Sequence, residues 1–269
     1  MRKPCWSWLA CTHPVKPCTI LIAPMKVFVI VPAAGLGTRM APPAPQSSKK
    51  KARSKQFKEL GGIPILVHTL RKFAAVPAVH EIIVALRHDE IAPFRAQVEK
   101  QFPEILAKRL QFVEGGEHRQ DSVAAALAQT AAGPDDIVLV HDAVRPFVTP
   151  DIIAHVIEAA QKHGAAIAGW PAVDTVKQVE RTAEGALIKA TLPRAGIVMA
   201  QTPQGFRYAI LKQAFDDAAK DGFLGTDEAS LIERADLPVV VVMGSPQNIK
   251  ITTPADMELA EFYLKTTGS

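Results

Sequence analysis

Cysteine is scarce in this sequence of 269 residues, and it is confined to one end. The three cysteines are Cys5, Cys11 and Cys18, so residues 25–269 contain none. That absence excludes thiol catalysis, disulfide bonds and cysteine-based zinc sites from those residues. His13 lies among the cysteines, but the spacing of these four side chains matches no pattern of metal ligands.

Long hydrophobic runs and a strong charge imbalance are also missing. No uninterrupted apolar run approaches the roughly 18–20 residues that cross a bilayer, so we expect no membrane association. The apolar and charged fractions, 48% and 22%, are ordinary for a globular protein and exclude a disordered chain. The net charge of +4 is a mild surplus of cations, which suggests an anionic ligand without requiring nucleic acid.

Residues 1–24 differ in composition from the rest of the chain. They carry Trp6, Trp8 and all the cysteines, but no acidic residue. Their apolar stretch is too broken for a secretory signal, whereas a chain that began at Met25 would open on the strand-like segment MKVFVIVP. We therefore expect residues 1–24 to be a disordered or mis-started extension, residues 25–269 to form a single domain, and the protein to be cytoplasmic.

From Lys26 onwards, strand-like and helix-like segments alternate. The continuous β-branched and aromatic run Val27–Val31 is typical of a strand that is covered on both faces. The alternation predicts an α/β sheet with helices on both faces. The predicted strands are 27–31, 81–86, 110–113, 137–141, 165–170 and 239–243, and the predicted helices are 63–73, 90–101, 120–132, 150–163 and 254–265.

The segment from about 173 to 200 interrupts this rhythm. It alternates short polar and apolar pieces around Glu184 and Gly185, which indicates a hairpin. We interpret the segment as a protruding β-arm, and an ordinary surface loop is the alternative.

A small-residue turn follows the first strand. Residues 32–40 read PAAGLGTRM, so backbone amides at the end of a strand could approach phosphate oxygens. Met40 replaces the third glycine of a dinucleotide motif, and the pattern is not a phosphate loop either. A purely structural turn is the alternative, but Arg39 favours triphosphate binding because a guanidinium pairs bidentately with phosphate.

A basic run lies further along the same loop. Residues 49–55 read KKKARSK, and the first cations of this run are typical of a solvated flexible loop. Lys55 differs because it precedes Gln56 and Phe57, where apolar residues resume, although Lys58 is close enough to be an alternative. A nucleic-acid binder would rest on this run alone, which lacks interleaved aromatic residues, so we expect no nucleic-acid partner.

Six motifs in order resemble one family. They are AAGLGTRM at 33–40, KQF at 55–57, GGEHRQDSV at 115–123, VHDAVRP at 140–146, TDEAS at 226–230 and NIKIT at 248–252. The first two resemble the nucleotidyltransferases that activate sugar phosphates. Together, and across residues 26–265, the six are similar to the 2-C-methyl-D-erythritol 4-phosphate cytidylyltransferase family, with a longer loop between Arg39 and Lys55. The resemblance implies a Rossmann-like nucleotidyltransferase sheet that is mostly parallel and carries the β-arm.

The resemblance also implies an activity and a set of site residues. A methylerythritol phosphate oxygen would attack the α-phosphorus of CTP, with Mg²⁺ as the cofactor. The implied catalytic residues are Arg39, Lys55 and Lys250. The implied nucleotide-binding residues are Ala33, Ala34, Gly35, Gly37, Gly116, Asp121 and Ser122. The implied substrate-binding residues are Asp142, Arg145, Thr175, Arg194, Thr226 and Lys250, and Asp142 is also the implied metal ligand.

The arm is implied to form a homodimer in which Thr175 and Arg194 serve the partner's site. Other interpretations of single residues stay open. Asp142 could cap a helix or pair with Arg145, Arg145 could be a structural ion-pair residue, and the two arm residues could be merely solvated. His141, at the end of a buried strand, is more typical of a core histidine, and residues 227–228 are typical of helix-start carboxylates.

Two other functions share most of these motifs. A ribitol 5-phosphate cytidylyltransferase would keep the CTP loops and differ in the polyol pocket. A non-catalytic CTP-binding protein would not need Arg39, Lys55, Asp142 and Lys250 together, and their joint presence favours an enzyme.

Overall fold

The structure is a computed structural model that describes residues 25–35 and 54–267. The predictions for residues 1–24 and for the loop at 36–53, which includes Gly37 and Arg39, lie outside the described residues. No helix in the described parts of the chain is both long enough and apolar enough to cross a membrane.

A seven-stranded sheet forms the centre of the protein. Its strands are β1 (Val27–Pro32), β4 (Val79–Leu86), β5 (Arg109–Glu114), β6 (Ile137–Val140), β7 (Ala165–Pro171), β10 (Val198–Arg207) and β11 (Val240–Met243). They lie in the order β11-β7-β10-β6-β1-β4-β5. Every neighbouring pair is parallel except those that involve β10, which runs antiparallel to both β6 and β7. The fold class predicted from the sequence is therefore confirmed. Short strands β2 (Glu59–Leu60) and β3 (Ile63–Pro64) pair separately.

Helices cover both faces of the sheet. Successive residues of a strand point to opposite faces, and in β1 the side chains of Val27, Val29 and Val31 enter one core while Phe28 and Ile30 enter the other. This alternation explains the continuous apolar run. The first core also contains residues of α1 (Ile65–Ala74), α2 (His88–Gln101) and α4 (Pro150–His163), and the second contains residues of α3 (Arg119–Ala128), α5 (Tyr208–Asp221) and α6 (Glu228–Arg234). The last helix is α7 (Pro254–Thr267).

Among the longer elements, β10 and α5 were not predicted from the sequence, and α6 was indicated only by the helix-start carboxylates at 227–228. β10 begins where the chain returns from the arm to the sheet. Its pairing partners on β6 and β7 are therefore distant in sequence. Trp170 is half-buried near the end of β7, where the chain leaves the sheet for the arm.

The β-arm is confirmed as a hairpin. Strands β8 (Val176–Thr182) and β9 (Gly185–Leu192) pair antiparallel, and Thr182 lies opposite Gly185 at the tip. Gly185 has a φ of 145°, which favours glycine at the turn. Most arm residues are exposed, and a 3-10 turn at Arg194–Gly196 returns the chain to β10.

Candidate active site

A cleft opens where several parallel strands end at the same edge of the sheet. Loops that leave β1, β5 and β6 converge there, and each stays bonded to a neighbouring strand: the Ala33 N–H donates to the Ala85 carbonyl at 2.7 Å, the Gly115 N–H to Leu86 at 2.8 Å and the His141 N–H to Ile30 at 2.9 Å. This edge is where α/β sheets generally bind ligands.

The cleft, here called cleft 1, has a volume of about 230 Å³. It brings together eight of the residues predicted to form the site, namely Ala33, Ala34, Gly35, Lys55, Gly116, Ser122, Asp142 and Lys250. Asp121 does not line it. The Asp121 carboxylate accepts a hydrogen bond from the His118 N–H at 3.0 Å and so caps the start of α3.

Close backbone approach explains the glycine at position 116. A Cβ atom there would lie 2.3 Å from the Cβ of Asp121, so a larger residue would displace the α3 cap. The small residues that line cleft 1 leave backbone groups accessible to a ligand. Such a surface can be approached closely by a flat ring or by a chain of phosphates.

Gln56 fixes the segment that carries Lys55. Its side chain is buried and donates from Nε2 to the Ala33 carbonyl at 2.5 Å. Ser54 is also buried and donates from Oγ to Glu90 Oε1 at 2.8 Å. Lys55 therefore starts a 3-10 turn that is tied both to the end of β1 and to α2. This role of Gln56 was not predicted from the sequence, although the residue lies in the KQF motif.

A second cleft adjoins the first. Cleft 2 has a volume of about 200 Å³ and contains Arg145 and Thr226 among its walls, together with residues of β10. Arg119, Asp142 and Lys250 line both clefts. The predicted nucleotide-binding and substrate-binding residues therefore lie largely in different clefts that meet at these three side chains.

Asp142 is the centre of the charge cluster at this junction. Its Oδ2 lies 3.0 Å from Lys250 Nζ and 3.2 Å from Arg145 Nε, and its Oδ1 lies 3.4 Å from Arg119 Nε. Burial alone would raise the pKa of Asp142, but the three cations outweigh that effect and hold the pKa well below its ordinary value. The carboxylate is therefore ionised throughout the neutral and mildly acidic range.

Arg145 pairs with Asp142, as one interpretation of the sequence expected, and it also lines cleft 2. Its Nη1 donates to the carbonyl of Asn248 at 2.7 Å. Asn248 is fully buried and donates from Nδ2 to the Thr202 carbonyl at 2.9 Å. This chain of contacts holds the Arg145 guanidinium between the loop after β6 and the loop that carries Lys250.

His141 is confirmed as a core residue. Its ring is fully buried, contacts Phe73 edge-on, and lies within hydrogen-bond distance of Thr202 Oγ1 and the Arg145 carbonyl, both at 3.1 Å. Burial lowers the pKa of His141 to about 4, so the ring is neutral at pH 7. Through these contacts, His141 stabilises the loop after β6 that carries Asp142.

The comparison with known proteins identifies the relatives of this chain. The family model described as 2-C-methyl-D-erythritol 4-phosphate cytidylyltransferase matches residues 27–266. The chain belongs to this family. A protein of that name from Acidobacterium capsulatum is 58% identical over 245 residues, which cover 91% of this chain and 100% of that protein. One from Solibacter usitatus is 52% identical, over 90% of this chain and 96% of that protein.

Solved structures of family members have the same fold. The 2-C-methyl-D-erythritol 4-phosphate cytidylyltransferase from Thermus thermophilus superposes with a TM-score of 0.68 at 34% identity, covering 90% of this chain and 100% of that one. The Francisella tularensis enzyme gives a TM-score of 0.71 at 34% identity, covering 88% of this chain and 99% of that one.

Besides Asp121, two predicted site residues of the family pattern are not brought to these clefts. Thr175 and Arg194 lie in the arm, are exposed, and line neither cleft. Arg194 instead donates from Nη1 to the Val173 carbonyl at 2.7 Å. Any contribution of these residues to a site therefore requires a neighbouring molecule.

One further cation at the site, Arg119, was not predicted from the sequence. Arg119 lies in the GGEHRQDSV motif, and the arginine of that motif was the available signal. It faces Asp142 on one side and Glu228 on the other, with Nη1 at 2.6 Å from Glu228 Oε1. Asp227 caps α6 as expected, since its carboxylate accepts from the Ser230 N–H, but Glu228 is buried against Arg119.

Proposed function

We propose that this protein transfers a cytidylyl group from CTP to 2-C-methyl-D-erythritol 4-phosphate, giving 4-diphosphocytidyl-2-C-methyl-D-erythritol and pyrophosphate. The observation that carries the proposal is the pair of adjoining clefts with Arg119, Asp142 and Lys250 at their junction. The family membership supplies the identity of the two substrates, which are those named for the relatives.

The reaction needs no nucleophile from the protein. An oxygen of the methylerythritol phosphate forms a bond to the α-phosphorus of CTP, and the bond from that phosphorus to the bridging oxygen of the pyrophosphate breaks. Catalysis then consists of alignment and charge stabilisation. Cations at the meeting point of the two clefts are suited to both tasks, because the negative charge of both substrates converges there.

We assign the nucleotide to cleft 1 and the polyol phosphate to cleft 2. Backbone groups of Ala33, Ala34, Gly35 and Gly116, with Ser122, would contact the nucleotide, and Lys55 would face its phosphates. Arg145, Thr226 and Lys250 would hold the second phosphate and the polyol. Asp121 would act through the α3 cap rather than by contact. The assignments of Gly37 and Arg39 stay predictions from the sequence.

Mg²⁺ is proposed as the cofactor, and the donors at the junction fit it. Asp142 offers hard carboxylate oxygens, and Mg²⁺ is commonly held by one or two carboxylates together with substrate phosphates. When bound, the ion would neutralise charge on the phosphates. Because Arg119, Arg145 and Lys250 already contact Asp142, these cations would share the carboxylate and keep it ionised.

The assay that tests the function measures pyrophosphate. The protein is incubated with CTP, Mg²⁺ and either methylerythritol phosphate or ribitol 5-phosphate. Pyrophosphate release with methylerythritol phosphate is expected, with a kcat/KM higher than that for ribitol 5-phosphate. Release only with ribitol 5-phosphate would favour that cytidylyltransferase instead, and release with neither would favour a protein that binds CTP without turnover.

A homodimer through the arm is the second part of the proposal. Ile188 and Val179 lie opposite each other on the hairpin and are 64% and 46% exposed, which is unusual for paired aliphatic residues. Thr175 and Arg194 line neither cleft of their own chain, as expected for residues that complete a partner's site. The cytoplasmic location stays a prediction.

Ile188→Asp is expected to convert dimers into monomers, because burying a carboxylate in an apolar contact is costly. Gln178→Asp changes an exposed polar residue of the same hairpin and is the matched control. It should leave the molecular mass of the assembly in solution at the dimer value. Sedimentation equilibrium measures both. A wild-type protein that is monomeric at micromolar concentration would contradict the dimer.

A further inference from the structure

Glu228 is a buried carboxylate that lines neither cleft. It is the first residue of α6 and is 2% exposed. Its Oε1 accepts from Arg119 Nη1 at 2.6 Å, whereas its Oε2 is buried and has no hydrogen-bond partner among the described residues. Burial raises the pKa of Glu228 against the opposing influence of Arg119. Packing alone does not explain a carboxylate at this position, since an apolar side chain would fill the space without the cost of removing a charged group from water.

The partner of Glu228 lies where the two clefts meet. Arg119 lines both, and its Nε is 3.4 Å from Asp142 Oδ1. The guanidinium thus spans two carboxylates that lie on opposite sides of it. Without Glu228 the guanidinium would keep only its contact with Asp142, a carboxylate that it already shares with Lys250 and Arg145, so its orientation would no longer be fixed from two sides.

The start of α6 is a rigid support for Glu228. The side chain of Gln204 is buried in β10, donates from Nε2 to Asp227 Oδ2 at 2.8 Å, and accepts from the Ala229 N–H at 3.1 Å. Both neighbours of Glu228 in sequence are therefore tied to the central sheet. A carboxylate held in this way fixes the direction of the bond to Arg119.

We propose that Glu228 is a positioning residue that holds the Arg119 guanidinium at the junction of the clefts, where Arg119 contacts the phosphates that react. The inference rests on the proposed cytidylyl transfer. It assigns to Arg119 a place in the binding machinery, and to Glu228 an effect on turnover that is transmitted only through Arg119.

A double-mutant cycle tests the proposal. Glu228→Gln keeps the size of the side chain and removes the charge, and it should lower kcat/KM by about 10- to 100-fold, an ordinary cost for losing a group that orients a functional side chain. Glu228→Asp keeps the charge on a shorter side chain, and its kcat/KM should fall less than that of Glu228→Gln. In the Arg119→Ala background, Glu228→Gln should change kcat/KM by less than about 3-fold, because its partner is already absent.

Folding is measured on the same proteins by thermal unfolding. Glu228→Gln should still unfold cooperatively but at a lower temperature than the wild type, since Arg119 loses one of its two carboxylate partners. Glu233→Gln, an exposed glutamate on the same helix, is the matched control and should behave as wild type in both measurements.

Several results would overturn the inference. These are wild-type turnover in Glu228→Gln, an equal loss from this substitution in both backgrounds, or a Glu228→Gln protein that does not fold. If the wild-type protein itself releases no pyrophosphate with either polyol phosphate, the proposed function fails, and that outcome is separate from the ones above.

Discussion

Asp142→Asn is expected to lower kcat by about 10³-fold and the free energy of unfolding by about 3 kcal/mol at pH 7. Asp142 is the carboxylate that three cations share at the junction of the clefts. Removing its charge leaves Arg119, Arg145 and Lys250 close together without their common partner. The loss of activity follows because the same change removes the proposed Mg²⁺ ligand and disturbs the cations that face the substrates.

The stability effect should depend on pH in a defined direction. The pKa of Asp142 is lowered in the folded protein, so its contribution is fully present above the ordinary carboxyl pKa of about 3.9 and is lost as the pH falls through the lower folded-state value. The difference in unfolding free energy between wild type and Asp142→Asn should therefore be constant from pH 7 to about 5 and shrink below about pH 4. Urea unfolding at several pH values measures it.

Asp135→Asn is the control for this prediction. Asp135 also pairs with an arginine, Arg207, at 3.6 Å, but its side chain is 90% exposed, so the substitution should change stability by less than about 1 kcal/mol. If Asp142→Asn were as harmless as Asp135→Asn, the buried cluster would not stabilise the fold in the way that its geometry indicates.

Much of cleft 1 could be predicted from the sequence because its residues follow strands. The apolar run Val27–Val31 identifies a strand covered on both faces, and parallel strands end at one edge. The residues that come directly after β1 and β6, such as Ala33 and Asp142, must then lie near each other. Their motifs added the chemistry, but the convergence follows from the topology alone.

The support behind the cleft could not be predicted in the same way. Arg119 and Glu228 are 109 residues apart, and their contact depends on how α3 and α6 pack on one face of the sheet. Locally, residues 227 and 228 both match a helix start. Asp227 does cap α6, but the next residue points about 100° further around the axis, and that direction leads into the protein. The sequence alone does not predict which side chain at this helix start faces the interior of the protein.

Lys55→Ala is expected to lower kcat by about 10²–10³-fold, which corresponds to about 3–4 kcal/mol of barrier. Lys55 lines cleft 1 beside Ala33 and Gly35, where the triphosphate is proposed to bind. Gln56 secures this position by its hydrogen bond to the Ala33 carbonyl. The loss should appear mainly in kcat, because charge on the phosphates increases towards the transition state.

Lys58→Ala is the matched control, since Lys58 is the neighbouring lysine that the sequence left open. It lies just after the 3-10 turn, its N–H donates to the Lys55 carbonyl, and it does not line cleft 1. We expect it to retain turnover within about 3-fold of wild type, as a lysine outside the cleft stabilises no developing charge. Initial rates of pyrophosphate release at saturating CTP compare the two variants, with unfolding temperatures to show that both fold. Loss of activity in Lys58→Ala alone would transfer the role to that residue, and it would mean that the hydrogen bond from Gln56 to the Ala33 carbonyl does not hold the catalytic lysine in cleft 1.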